Sequence, residues 1–150
     1  MTTQNSIDDF LAQKKLALIG ISRSGKKFGN IIFKELKSKG YKIFPINPNV
    51  ENIQGERCYP SLKALPEQVG GVIVVVPPVQ TEKVVHDIVS AGIKQVWMQQ
   101  GSESKSAIQF CKKNGISVVE GECILMFVKP VKLFHRMHRG IWKLLGKYPK

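Results

Sequence analysis

The stretch that most constrains this chain is Leu16-Ala17-Leu18-Ile19-Gly20-Ile21-Ser22-Arg23-Ser24-Gly25-Lys26-Lys27-Phe28-Gly29. Its apolar opening lacks alternation, so it reads as a strand over residues 16–21 that is covered on both faces. The strand runs into a loop of small residues, then into bases, and a helical period begins at Phe28. Glycines in such a loop allow a tight turn and close approach of a ligand to the backbone. The free N–H groups and dipole of the following helix favour an anion. The spacing departs from the dinucleotide fingerprint G-x-G-x-x-G, because Gly20 is followed by Ser22 and then by Gly25 and Gly29. Alone, the stretch is equally an ordinary strand–turn–helix with glycines for geometry; the rest of the chain favours the ligand reading.

Strands and helices alternate downstream. The helical period over residues 28–39 stops at Gly40. A second strand, Lys42–Ile46, closes in Asn47-Pro48-Asn49, and residues 50–71 are irregular with a short helix at 61–65. Five β-branched residues at 72–76 make the clearest central strand, ended by Pro77-Pro78. Helices at 81–91 and 104–113 and strands at 95–98 and 117–119 follow, and a first helix at 6–14 takes Ser6 as its cap. This order predicts an α/β, Rossmann-like domain over residues 1–128: a five-stranded parallel sheet with helices on both faces. With 150 residues and 43% hydrophobic content, one packed core is expected.

Ligands of such sheets sit at the carboxyl ends of the strands. The second strand separates ligand classes. A fold that binds a non-phosphorylated dinucleotide usually carries Asp or Glu there, for the ribose hydroxyls. Here Asn47-Pro48 stands instead, with no carboxylate until Glu51. A phosphorylated ribose is tolerated there, which disfavours NAD and leaves NADP or coenzyme A, with Arg23, Lys26 and Lys27 as the nearest bases.

The set Gly20-Ile21-Ser22, Pro45-Ile46-Asn47-Pro48, Cys58-Tyr59-Pro60-Ser61-Leu62, Val76-Pro77-Pro78 and Val96-Trp97-Met98-Gln99-Gln100-Gly101 resembles the CoA-binding domain family. These are stand-alone relatives of the N-terminal domain of the succinyl-CoA synthetase α subunit, and the likeness covers roughly residues 15–123. The resemblance implies a nucleotide-binding, Rossmann-like fold that holds coenzyme A or an acyl-CoA. By it, Gly20, Ile21, Ser22, Arg23, Ser24, Lys26 and Lys27 would hold the pyrophosphate, and Asn47 and Pro48 would flank the adenosine. Val76, Pro77 and Pro78, with Gln99, Gln100 and Gly101, would line the pantetheine path. Many relatives carry a base just after the Asn-Pro pair, whereas Asn49-Val50-Glu51-Asn52 offers none, so Arg23 or Lys42 inherits the ribose phosphate. The synthetases also need a phosphohistidine domain and a nucleotide-grasping partner subunit. A chain of this length is too short for both, so their activity is not expected here.

No nucleophile–base–orienter constellation is found. His86 lies mid-helix, and adjacent helical positions do not face each other. His135 and His138 share a basic helix, and Cys123 reads as a small buried residue at a strand end. Glu120 and Glu122 are expected on one face of a strand. Cys58, Cys111 and Cys123 are odd in number and lack C-x-x-C spacing, which argues against a disulfide scaffold or a metal site and for a reduced, cytoplasmic setting. The first residues lack the apolar core of a signal peptide. The expectation is a binding module for a small CoA ligand. The alternatives are an NADP-dependent oxidoreductase and a membrane-surface or interaction protein.

Net charge is +12, and seven Lys/Arg without an acid fall in residues 129–150. At helical spacing, Leu133, Phe134, Met137, Ile141, Leu144, Leu145 and Tyr148 gather opposite Lys132, Arg136, Arg139, Lys143 and Lys147. This basic amphipathic helix is expected to pack on its own domain or on a second copy as a homodimer. A peripheral anionic membrane comes next. Nucleic acid comes last, because no aromatic platform accompanies the charge.

Overall fold

The structure is a computed structural model that describes residues 2–128; the helix expected over 129–150 lies outside the described residues. Its elements run α1 (Gln4–Leu11), β1 (Lys15–Ile19), α2 (Phe28–Ser38), β2 (Lys42–Ile46), β3 (Asn52–Ile53), β4 (Glu56–Arg57), β5 (Gly71–Val74), α3 (Pro78–Ser90), β6 (Gln95–Gln99), α4 (Lys105–Lys113) and β7 (Ser117–Glu122), with 3-10 turns at Leu62–Ala64 and Ile124–Met126. Five parallel strands form the expected sheet in the order β2-β1-β5-β6-β7. The chain winds outward from β1 in both directions, so strand order reverses between β1 and β5 and opens a crevice at their carboxyl ends.

Side chains alternate across the sheet and divide the core in two. Leu16 and Leu18 of β1, Ile73 of β5 and Trp97 of β6 pack with Ile7 and Phe10 of α1, Ile32, Phe33 and Leu36 of α2, and residues 123–128. Ala17, Val72, Val74, Val96 and Met98 pack with Val85 and Ile88 of α3, Ala107 and Cys111 of α4, and Leu62. Trp97 is fully buried: its ring lies 5.5 Å from Phe10 and 6.0 Å from Phe127, and its Nε1 donates to the Glu122 carbonyl at 3.1 Å. At about 25 cal/mol per Å2, a buried aromatic of this size contributes several kcal/mol before entropy is counted.

Several boundaries differ from the expectation, each for a local reason. The α1 cap is Thr3, not Ser6: the Ser6 N–H donates to Thr3 Oγ1 while Thr3 N–H donates to Ser6 Oγ, a reciprocal capping box. β1 stops at Ile19 and β5 at Val74, although the Val75 N–H still donates to the Ile19 carbonyl at 2.8 Å. α3 opens at Pro78 rather than 81, because proline fits the first helical turn. The β3–β4 hairpin turns on Gln54-Gly55, a pair too short and polar to read as strands.

Candidate functional site

The site is built outward from the end of β1. Gly20 has φ +122°, and a Cβ there would stand 2.1 Å from the carbonyl oxygen of Val75, the residue just past the end of β5. A Cβ on Gly29 would stand 2.2 Å from the Gly20 carbonyl oxygen. The two glycines therefore let the first turn of α2 sit directly against the loop that leaves β1. This is the helix–strand packing role of the last glycine in a nucleotide fingerprint, reached at different spacing. Gly20 is demanded by the protein's own backbone, rather than by a ligand alone.

The loop 20–27 is held in shape from within. Asn30, buried on α2, accepts the Ser22 N–H at Oδ1 and donates from Nδ2 to the Ser22 carbonyl, both at 2.9 Å. Ser22 and Ser24 share a hydroxyl contact of 2.9 Å; Ser22 Oγ also takes the Ser24 N–H, and Ser24 Oγ takes the Lys26 N–H. Ile21 is buried beneath, while Arg23, Ser24, Lys26 and Lys27 are exposed. The hydroxyls serve the loop, and its cations face outward.

Side-chain capping separates the helices that start at this edge. α1 is capped by Thr3 and α4 by Ser104. α2 and α3, which follow β1 and β5 on either side of the crevice, have Lys27 and Pro77 at the cap position and no side-chain cap bond. The orphan N–H groups of a first turn need acceptors, and their partial positive charge favours an anion. Two such ends meet where the strand order reverses.

Arg23 crosses to the β2 corner, where its Nη2 donates to the Asn49 carbonyl at 2.7 Å. Asn47 fixes that corner by donating from Nδ2 to the Ile21 carbonyl at 3.0 Å and accepting the Asn49 N–H at 2.8 Å; Pro48 beside it is exposed. The Gly20 loop and the Asn47-Pro48 corner are thus one unit. Lys42 is not part of it. It opens β2 at the opposite, amino edge and pairs with Glu67, which also meets Lys15. Those two lysines hold the Glu67 carboxyl down at about 2.

At the other side of the crevice Val76 is half-buried and Pro77 and Pro78 are exposed. Gln100 and Gly101 are exposed, but Gln99 is only 2% exposed: its Oε1 accepts the Ile124 N–H at 3.1 Å. Gln99 supports the rim from below instead of lining it. Thr81 ties the two strand ends together by donating to the Ser102 carbonyl at 2.7 Å, and the Glu103 carboxylate accepts the Gly101 N–H at 3.0 Å. Asn30, Thr81 and Glu103 escaped the sequence reading because each acts on the backbone of a distant segment.

The expected pairing of Glu120 and Glu122 fails. Gly121 adopts φ +72° and β7 bulges, so Glu120 lies opposite Met98 and Glu122 opposite the next residue, Gln99. Two carboxylates beside consecutive residues of β6 belong to opposite faces. Glu122 is buried, and its desolvation pushes the carboxyl up to about 7. Burial also raises the neighbouring Cys123 thiol, against a hydrogen bond from Gln99. Glu82, on α3, is held low by hydrogen bonds from Ser104 and Ser106. His86 stacks at 4.1 Å on Phe110, joining α3 to α4.

Phe28, where the helical period begins, and Ile31 one turn on are 41% and 46% exposed. The Asn30–Ser22 clamp turns Gly29, Ile32, Phe33 and Leu36 inward instead. Together with Val79 of α3, these are the large exposed apolar side chains of the described residues, and all three belong to the first turns beside the crevice.

The family described as CoA binding domain matches residues 14–129. The chain is 29% identical over 129 residues to the acetate–CoA ligase [ADP-forming] II subunit alpha of Pyrococcus furiosus, covering 79% of this chain and 28% of that one. Among solved structures it is similar to a conserved hypothetical protein from Pyrococcus furiosus, with a TM-score of 0.70, 42% identity, and coverage of 74% of this chain and 96% of that one. A hypothetical protein from Pyrococcus horikoshii OT3 gives a TM-score of 0.76 at 32% identity, covering 81% and 87%. The chain spans less than a third of the length of the acetate–CoA ligases it matches.

Proposed function

The chain belongs to the CoA binding domain family, and from that premise we propose that it binds coenzyme A at the β1/β5 crevice without itself catalysing a reaction. The observation that carries the reading is the meeting of two helix starts without side-chain caps beside the Arg23, Lys26 and Lys27 loop. A pyrophosphate supplies the acceptors that these first turns lack, and Lys26 and Lys27 neutralise it. The adenosine lies along Asn47-Pro48. Arg23, already bonded at that corner, takes the ribose phosphate in place of the base missing after the Asn-Pro pair. The arm then runs past Val76, Pro77 and Pro78 toward Gln100 and Gly101, over the shelf that Gln99 supports. Ligation of acetate to CoA is the activity named for the longer relatives, and this chain matches a fraction of their length.

Calorimetric titration tests the reading. We expect micromolar or tighter binding of CoA and little of NAD. Dephospho-CoA, which lacks the ribose phosphate, should bind more weakly to the wild type and as well as CoA does to Arg23→Ala. Comparable heats for NAD and CoA, or none for CoA, refute the assignment. Preference for NADP over CoA would favour the oxidoreductase reading of the same crevice.

A further inference from the structure

The β3–β4 hairpin turns through Gln54 and Gly55, which have φ +48° and +78°. A two-residue turn of this kind needs positive φ at both central positions, and asparagine, aspartate or glycine supplies it most easily at the first. Glutamine supplies it poorly, and among the described residues Gln54 is the one non-glycine with positive φ. The turn therefore gains nothing from this side chain. A strained residue that breaks a local preference without serving its own turn points to a function elsewhere.

The hairpin that carries it is anchored on two sides. Ile53 is buried in the core beneath, and Lys37 of α2 pairs with Glu56. The Cys58 N–H donates to the Glu51 carbonyl at 2.8 Å. The Tyr59 N–H donates to the Pro45 carbonyl and the Asn47 N–H to the Tyr59 carbonyl, both at 2.9 Å, which ties the hairpin to the Asn47 corner. Held in this way, its tip leans over the loop that follows β1. A Cβ on Gly25 would stand 4.0 Å from Gln54 Nε2, and chain neighbours aside no other heavy atom of the described residues comes so near that position. Gln54 is exposed, and its amide makes no hydrogen bond among the described residues. Its NH2 group is thus presented to the loop from which Arg23 reaches the Asn49 carbonyl.

We propose that Gln54 is a ligand of the ribose phosphate of bound coenzyme A, which it shares with Arg23. The inference rests on the CoA reading above. The segment after Asn47-Pro48 carries no base, and the hairpin tip brings a donor to the same corner from further along the chain. A side-chain amide has two N–H donors and no charge. Beside Arg23, Lys26 and Lys27 it binds a phosphate oxygen without adding to the repulsion among the cations. The reach of the side chain matters: asparagine, which the turn prefers, ends one methylene short.

Calorimetric titration with CoA and dephospho-CoA, beside thermal melts, tests the proposal on the wild type, Gln54→Asn and Gln54→Lys. Gln54→Asn should melt no lower than the wild type, because asparagine suits the turn. Its preference for CoA over dephospho-CoA should fall about fivefold, the scale of one hydrogen bond, with dephospho-CoA binding unchanged to within about twofold. Gln54→Lys, which keeps the reach and adds a charge, should retain at least the wild-type preference. A residue that only shapes the turn would move the melt and leave this preference alone. Wild-type preference in Gln54→Asn overturns the proposal, as do equal losses for the two ligands or a lysine variant that falls with the asparagine one. A lower melt in Gln54→Asn overturns the premise that the turn gains nothing from glutamine. Failure of the wild type to bind CoA at all fails the parent reading. Binding without preference over dephospho-CoA leaves that site standing and overturns this ligand.

Discussion

Glu122 makes stability depend on pH, in a direction opposite to that of most carboxylates. Its folded-state value of about 7 lies above the ordinary value of 4.5 because burial disfavours the anion. The folded protein thus holds a proton that the unfolded chain releases, and stability falls as pH rises from about 4.5 through about 7. Full conversion of the shift gives about 3 kcal/mol at pH 8, with most of it developing above pH 5. Water at the sheet edge screens part of this, leaving about 2 kcal/mol between pH 5 and pH 8. Glu122→Gln keeps the shape and removes the titration. Urea melts of both proteins at pH 5, 6, 7 and 8 should show nearly equal stability at pH 5 and a variant more stable by about 2 kcal/mol at pH 8. A difference independent of pH, or a variant that loses stability as pH rises, refutes the account of a carboxyl raised by burial.

Further outcomes follow from the loop and the chain's end. Gly29→Ala puts a Cβ 2.2 Å from the Gly20 carbonyl oxygen, which backbone must yield, so thermal unfolding should register a loss of about 1–3 kcal/mol. Asn30→Ala leaves the half-buried Ser22 N–H and carbonyl without their partner; denaturant melts should fall by about 1–3 kcal/mol, and CoA titration should weaken further as the loop loses its shape. Retained affinity in that variant would show that the ligand does not depend on this loop. Deleting residues 129–150 should lower the melting temperature or the mass seen by light scattering if the amphipathic segment packs on the domain or on a second copy. An unchanged melt and mass, with lost sedimentation on anionic liposomes, would assign it to a membrane surface instead.

Strand and helix succession was legible in the residues themselves. Runs such as Val72 to Val74 and the helical period ending at Gly40 encode local preference and burial along one segment at a time. Right-handed crossovers convert that succession into a parallel sheet. The candidate edge was legible for a related reason: strand carboxyl ends collect on one side of any such sheet, so the sequence placed the glycine loop and Asn47-Pro48 together there. Helix and strand ends were less legible, because the capping box of Thr3 and Ser6 offers two hydroxyls and only one wins.

What the tertiary structure decided is which partners lie across the sheet. Lys42 and Arg23 are both bases near the second strand in sequence, yet strand direction sends Lys42 to Glu67 at the far edge and leaves Arg23 at the Asn47 corner. Asn30 looked like a helix residue of no note until it met Ser22, and in doing so it turned Phe28 and Ile31 outward. Glu120 and Glu122 keep the spacing of same-face strand residues, but the bulge at Gly121 separates them and buries one. Each of these outcomes depends on a contact between segments far apart in the chain, and periodicity within a segment carries no information about its neighbour.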